Sequence, residues 1–126
     1  MKDMQSFLVF YYIMDKCYFA CCQSLNEDED FYLGGFVSGI CPELWGAGRP
    51  ITNADYSEWK EQTDIPSLNK ENIVDAVIHF LDDYEKRYQF DFGNAQETVR
   101  QIADREMVEE AFAYAQRMYD EYQYDD

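Results

Sequence analysis

The sequence predicts an all-α fold: a single-domain bundle of five or six helices with short connections over residues 1–126. Three observations carry this reading. Apolar residues recur at three- and four-residue spacing along most of the chain. Helix stop and start signals (Pro42, Asn69, Asp104) interrupt that spacing at intervals of helical length. A chain of 126 residues that is 47% hydrophobic and 17% aromatic is also large enough for one ordinary core and too apolar for disorder.

The first element is Met4 to Ser24, which is apolar on nearly every face, the mark of a central helix covered on all sides. Its start, "FLVFYYI", has the aromatic and β-branched content of a strand, and the length of the whole segment selects the helix. Asp15 and Lys16 interrupt it well short of the ~20 residues that span a bilayer. Lys2 is cancelled by Asp3, so the basic start of a signal peptide is lacking.

"NEDED", Asn26 to Asp30, makes the connection, and its acids suit the positive end of the next helix. That helix is expected from about Glu29 to Cys41, closed by Pro42. Leu33, Phe36, Val37 and Ile40 fall at helical spacing, with Gly34, Gly35 and Gly39 among them. Each interior glycine costs ~1 kcal/mol against alanine. Gly35 and Gly39, four apart, form a flat strip, so the expectation is close packing of that strip against the backbone of another helix, the aromatic-rich first helix above all. A phosphate loop is excluded, since GxGxxG, GKS and GKT are all missing and the surroundings are anionic.

Gly46, Gly48 and Pro50 then mark a loop. Thr52 with Asp55 has the spacing of a capping box for a short helix that presents Tyr56 and Trp59 on one side. "DIPSLN" breaks the chain again. Asn69 is placed to cap the next helix, with Leu68 and Ile73 as a hydrophobic staple. Ile73, Val77, Phe80, Leu81, Tyr84 and Tyr88 form its apolar stripe, and Asp75, His79, Asp82, Asp83 and Lys86 lie opposite. "QFDFGN" is a turn, after which Asn94 and Glu97 resemble a second capping pair. In Ala95 to Tyr122 the apolar side changes midway, from Ala95, Val99, Ile102 and Ala103 to Val108, Ala111, Phe112, Ala115, Met118 and Tyr122. One straight helix would have to bury both sides, so a break is expected near Asp104, which can cap the final helix.

The formal net charge is −16, and it is spread through the chain: 4 basic against 11 acidic residues in 1–66, and 6 against 15 in 67–126. Such a field repels nucleic acid and anionic membranes and favours a basic protein partner. Cys17, Cys21, Cys22 and Cys41 are laid out poorly for a stapled secreted domain, three of them lying in one short apolar segment. The expectation is a cytoplasmic setting with reduced thiols, no disulfide and no zinc, although Cys17 and Cys21 stand at i, i+4.

His79, the sole histidine, falls on a polar face between Asp75 and Asp83, where the ordinary reading is a solvated surface and the sharper one an exposed metal site. A Cys–His nucleophile pair would need Cys21 or Cys41 to reach it against the patterning. No catalytic set, cofactor motif or metal site is assigned. What remains is tyrosine and tryptophan interleaved with acids in "DYSEWKE", "DDYEKRYQFDF" and "MYDEYQYDD". At least half of the 11 tyrosines are expected simply to straddle the core boundary. The others suit interface anchors ringed by carboxylates that steer a basic partner. The expected partner surface joins Asp75, Asp82 and Asp83 with Tyr119, Glu121, Tyr122 and Tyr124.

Asp30, Gly34, Phe36, Val37, Ser38 and Ile40, followed by Gly48, Pro50, Asn53, Tyr56, Glu58 and Trp59, form a pattern that resembles one in small acidic helical bacterial proteins. Those are similar to the immunity proteins of polymorphic-toxin and contact-dependent-inhibition systems. Phe36 stands in an otherwise aliphatic slot. The resemblance implies an immunity-type binder; joined to the acidic surface, the expectation is a non-enzymatic inhibitor, monomer or homodimer, that masks a basic surface of a cognate toxin domain. An acidic adaptor or nucleic-acid mimic, and a small enzyme or metal protein, are the alternatives from other classes.

Overall fold

The computed structural model describes residues 1–42 and 53–122. Within them the chain forms six α-helices and no strand: α1 Asp3–Cys21, α2 Glu27–Gly39, α3 Ala54–Gln62, α4 Ile73–Tyr88, α5 Ala95–Ile102 and α6 Arg105–Tyr122. Short 3₁₀ turns follow α1 at Cys22–Ser24 and α3 at Ile65–Ser67. This is the all-α architecture expected from the sequence, and "FLVFYYI" lies in α1.

α1 is the hub. α2, α3, α5 and α6 all pack on it, and the run Ser6 to Phe10 is buried without interruption. A helix covered over most of its surface needs no continuous polar face, which is why its sequence shows no amphipathic stripe. At its centre Phe10 stacks on Trp59 of α3 at 4.7 Å between ring centroids and meets Phe80 of α4 edge-on at 5.2 Å. The Trp59 indole Nε1–H donates to Ser6 Oγ at 2.9 Å, and Ser6 Oγ–H donates onward to Asp3 O at 2.6 Å. The polar atoms at this buried point are therefore satisfied.

α6 runs antiparallel to α1. Tyr12 Oη donates to Glu110, Tyr12 and Tyr114 rings meet at 5.2 Å, and Gln5 bonds Gln116. Ala111 and Ala115 are fully buried in this seam, and their small side chains let the two helices approach. The expected break is present: α5 buries Ala95, Thr98 and Val99, the chain turns at Ala103, and Asp104 Oδ1 accepts from Met107 N at 2.9 Å to start α6. Both apolar sides then face the core, except for Tyr122, which stays exposed at the end of α6.

Several local expectations are corrected. α2 starts at Glu27, because Asn26 is itself the cap: Asn26 Oδ1 accepts from Glu29 N and Glu29 Oε1 accepts from Asn26 N. α2 ends at Gly39, short of Cys41. The cap of α3 is Asn53, whose Oδ1 accepts from Tyr56 N at 2.9 Å; Thr52 lies outside the described residues. Asn69 orders the turn leading into α4, accepting from Glu71 N and Asn72 N, while Asn72 Oδ1 accepts from Asn69 N. Asn94 does not cap α5 with its side chain, which instead reaches Ser24 Oγ. Tyr88 ends the α4 stripe outside the core at 44% exposure.

The largest correction concerns the glycines. Gly35 and Gly39 are both exposed, and among the described residues neither meets a neighbouring helix backbone. Among the described residues, a Cβ built on Gly35 would find nothing within 4 Å, and one on Gly39 only Asp55 Oδ2 at 3.8 Å. Close helix approach is achieved by the alanines of α6, and among the described residues no helix backbone packs on the glycine strip of α2. Gly35→Ala should therefore stabilise the fold by about 0.5–1 kcal/mol, since helix propensity improves and nothing is displaced. A higher denaturant midpoint with an unchanged slope checks this.

Candidate functional site

α1 and α2 each carry one large aromatic residue opposite its buried side. Phe19 follows buried Cys17 by two positions and Phe31 precedes buried Leu33 by two, a rotation of about 200° on a helix. Phe19 is 70% exposed and Phe31 75% exposed. Between and below them runs an open groove of about 730 Å³, whose lining includes Tyr11, Tyr18, Gly34 and Gly35. The glycines set its floor. A Cβ on Gly34 would come within 3.2 Å of Tyr18 Oη, so Gly34 leaves room for that ring, while Gly35 leaves the floor open.

The polar groups of the described groove lining are tyrosines and carboxylates, with Ser38 and the Cys41 thiol. Tyr18 Oη donates to Asp30 Oδ1 at 2.7 Å, and this hydrogen bond, helped by burial, pushes the Tyr18 phenol up to about 12. At the inner end Tyr84 Oη donates to Asp55 Oδ1 at 2.9 Å. Burial first, then the Asp55 charge, raises Tyr84. Burial likewise raises Tyr11, with Cys41 and Asp15 adding to it. All three phenols are therefore neutral donors at neutral pH. Asp15, Asp30 and Asp55 line the groove, and no Lys, Arg or His is among its described lining residues. Its face is aromatic and anionic.

Burial also raises Asp55, against the lowering effect of its Tyr84 hydrogen bond, and raises Glu58 against the lowering effect of Arg87. The folded protein therefore holds protons on these acids more readily than the unfolded chain. Their contribution to stability is complete below the ordinary values of 3.8 and 4.5 and is lost as pH rises through the raised folded values. The repulsion within a chain of charge −16 acts in the same direction. The urea midpoint should thus be higher at about pH 5 than at about pH 8, and Asp55→Asn should flatten part of that slope.

The partner surface expected from the sequence is distributed differently. Asp75 is exposed and bridged to Arg100 of α5 at 3.3 Å. Asp83 is held by Arg87 at 2.8 Å, and Arg87 also bridges to Glu58 of α3. Asp82 and Glu121 are exposed, Tyr119 is half-buried, and Tyr122 is 39% exposed. Tyr124 lies outside the described residues. No described hydrogen bond or ion pair joins the α4 acids to the α6 tyrosines. The groove residues Phe19, Phe31, Asp15 and Asp30 were missed by sequence reasoning. The available signal was an aromatic residue on the wrong side of an apolar stripe, legible at Phe31 and hidden at Phe19 by the all-round apolar character of α1.

The four cysteines are free thiols. Cys17 Sγ donates to Ala95 O at 3.4 Å, and burial raises its thiol. Cys41 lines the groove, whereas His79 lines a separate cleft beside Asp75. Among the described residues no group of three or more His, Cys, Asp and Glu side chains converges as a metal site would need, and no helix is long and apolar enough to cross a membrane. Compared with protein-family models, with curated proteins and with solved structures, the chain finds no match.

Proposed function

We propose that the protein is a non-enzymatic, cytoplasmic inhibitor of the immunity type, which masks a basic surface of a cognate toxin domain. One observation carries the binding half of this reading: a groove flanked by two exposed phenylalanines and lined by three carboxylates. Contiguous exposed aromatic surface marks an interaction site, and carboxylates around it select a cationic partner. The spread of charge through the whole chain adds long-range attraction, with Asp82 and Glu121 among the exposed contributors. The toxin half rests on the sequence pattern from Asp30 to Trp59.

The test is co-expression with the toxin domain encoded in a neighbouring gene. Growth should be restored and the two proteins should co-elute as a complex. Their association rate should fall steeply as salt rises from about 0.05 M to about 0.5 M, while dissociation changes much less. Growth arrest despite folded protein, or association indifferent to salt, would overturn the reading. Rescue by destruction of the toxin, without a complex, would replace it with an enzymatic one.

A further inference from the structure

We infer that a strip of aromatic rings crossing the surface from α2 to the end of α4, formed by Phe31, Tyr32, Phe90 and Tyr88, is where an arginine-bearing segment of the protein partner docks. This deepens the proposed function and rests on it for the identity of the partner, though the strip can be tested without that partner.

The strip is continuous. Phe31 meets Tyr32 edge-on at 5.7 Å between ring centroids, Tyr32 meets Phe90 at 4.7 Å, and Phe90 meets Tyr88 at 6.2 Å. Its two ends, Phe31 and Tyr88, are exposed, and Tyr32 and Phe90 between them are half-buried. On its inner side Phe90 leans on Tyr84 and Phe92, which back the strip from the core. The chain's own contacts show which chemistry this surface accepts. Arg87 lays its guanidinium over the Tyr88 ring, 5.3 Å from the centroid, while Glu58 and Asp83 hold the same group by ion pairs at 3.2 and 2.8 Å. A guanidinium placed between a ring face and carboxylates gains from both at once. The rest of the strip repeats those ingredients for an incoming arginine. Glu27 and Asp28 stand four and three residues before Phe31, one turn away on the same face of α2, and both are exposed. At the other side Phe90 shares a shallow cleft with Asp82 and Asp91, both exposed. The acids Glu27 to Asp30 in the first turn of α2 and the chain's charge of −16 draw a basic segment and repel a second copy of this chain. Aliphatic residues beside the arginine would cover the exposed ring of Phe31, removing its apolar surface from water.

The probe is a synthetic peptide alternating arginine and leucine, titrated into the full chain and followed by backbone amide shifts. The same peptide with citrulline in place of arginine is run beside it, since citrulline keeps the shape and removes the charge. The arginine peptide should shift the amides of Phe31, Tyr32, Tyr88 and Phe90 before others, and the citrulline peptide should bind at least about 10-fold more weakly. Phe31→Leu with Tyr88→Leu keeps apolar bulk at two exposed positions and removes two ring faces, and should weaken the arginine peptide about 5-fold or more. Asp28→Asn with Asp82→Asn should weaken it about 5-fold. Glu106→Gln with Glu121→Gln, an equal loss of exposed charge on α6, should weaken it less than about 2-fold. Equal losses in the two charge pairs, equal binding of the citrulline peptide, shifts centred outside the strip, or no binding at millimolar peptide would overturn the assignment. Concentration-dependent dimerisation with the same shifts would replace it with a self-interface. Toxin rescue undiminished by the leucine pair would remove the strip from the interface and leave the immunity reading standing. Peptide binding on the strip without any toxin complex would support the strip and overturn that reading.

Discussion

Trp59→Ala will destabilise the protein by about 3–5 kcal/mol, a large share of the ~5–15 kcal/mol that holds a domain of this size together. Trp59 is fully buried, stacked on Phe10 at 4.7 Å and edge-on to Phe80 at 5.5 Å, so truncation leaves a void that three helices border. The cavity cannot collapse easily, because α1 is held on its other sides by α5 and α6. Ser6 also loses the donor that occupies its hydroxyl, leaving a buried polar group with one partner fewer. Urea unfolding followed by circular dichroism reads the change directly. Trp59→Phe separates the contributions: it keeps a stacked ring and loses the indole donor, and should cost about 1–3 kcal/mol. A loss for Trp59→Ala below about 1 kcal/mol would show that the Phe10–Trp59–Phe80 stack is not the centre of the fold.

Gly93→Ala will have the second-largest effect, a loss of about 1–3 kcal/mol, with the opposite sign to Gly35→Ala. Gly93 has φ +60, a conformation in which a β-carbon is strained. The added methyl would also stand 2.6 Å from Leu25 Cδ2 and 3.1 Å from Glu29 Cδ. Both side chains are movable, but Glu29 is the residue whose carboxylate closes the cap of α2 on Asn26. Displacing it loosens the start of the helix that forms one wall of the groove. Gly93→Asn distinguishes the two causes, since asparagine tolerates this φ better than alanine and yet carries the same β-carbon. Recovery of most of the stability by asparagine would assign the effect to the backbone; continued loss would assign it to the contact with Leu25 and Glu29. A neutral Gly93→Ala would contradict both the φ and the packing described for this turn.

Much of the architecture was legible because its causes are local. The α4 stripe Ile73, Val77, Phe80, Leu81 and Tyr84 is buried as its spacing requires. The reversal of apolar side between Val99 and Val108 demanded a break, and Asp104 offered the oxygen that caps the final helix. Caps were less secure wherever neighbouring residues offered equivalent oxygens. Asn53 stands beside Thr52 and Asn26 near Ser24, and the choice depends on where the preceding chain arrives. Phe92 was hidden inside a segment that reads as a turn: it is fully buried against Phe36 and Tyr84, whose rings come from two different helices.

Local pattern was enough to set the helices, the anionic field and the placement of the glycines on one side of α2. The surroundings of those glycines were settled by packing between distant elements. Helical periodicity and the propensity cost of glycine are properties of residues a few positions apart. The neighbour of a missing side chain comes from elsewhere in the chain, and here Tyr18 of α1 approaches Gly34 while no described residue approaches Gly35. The charge alone likewise says that acids are exposed without saying which of them lie beside aromatic surface. Asp75 and Asp83, prominent in sequence, are joined to Arg100 and Arg87, whereas Asp15 and Asp30 lie in the groove flanked by Phe19 and Phe31 because α1 and α2 bring them together.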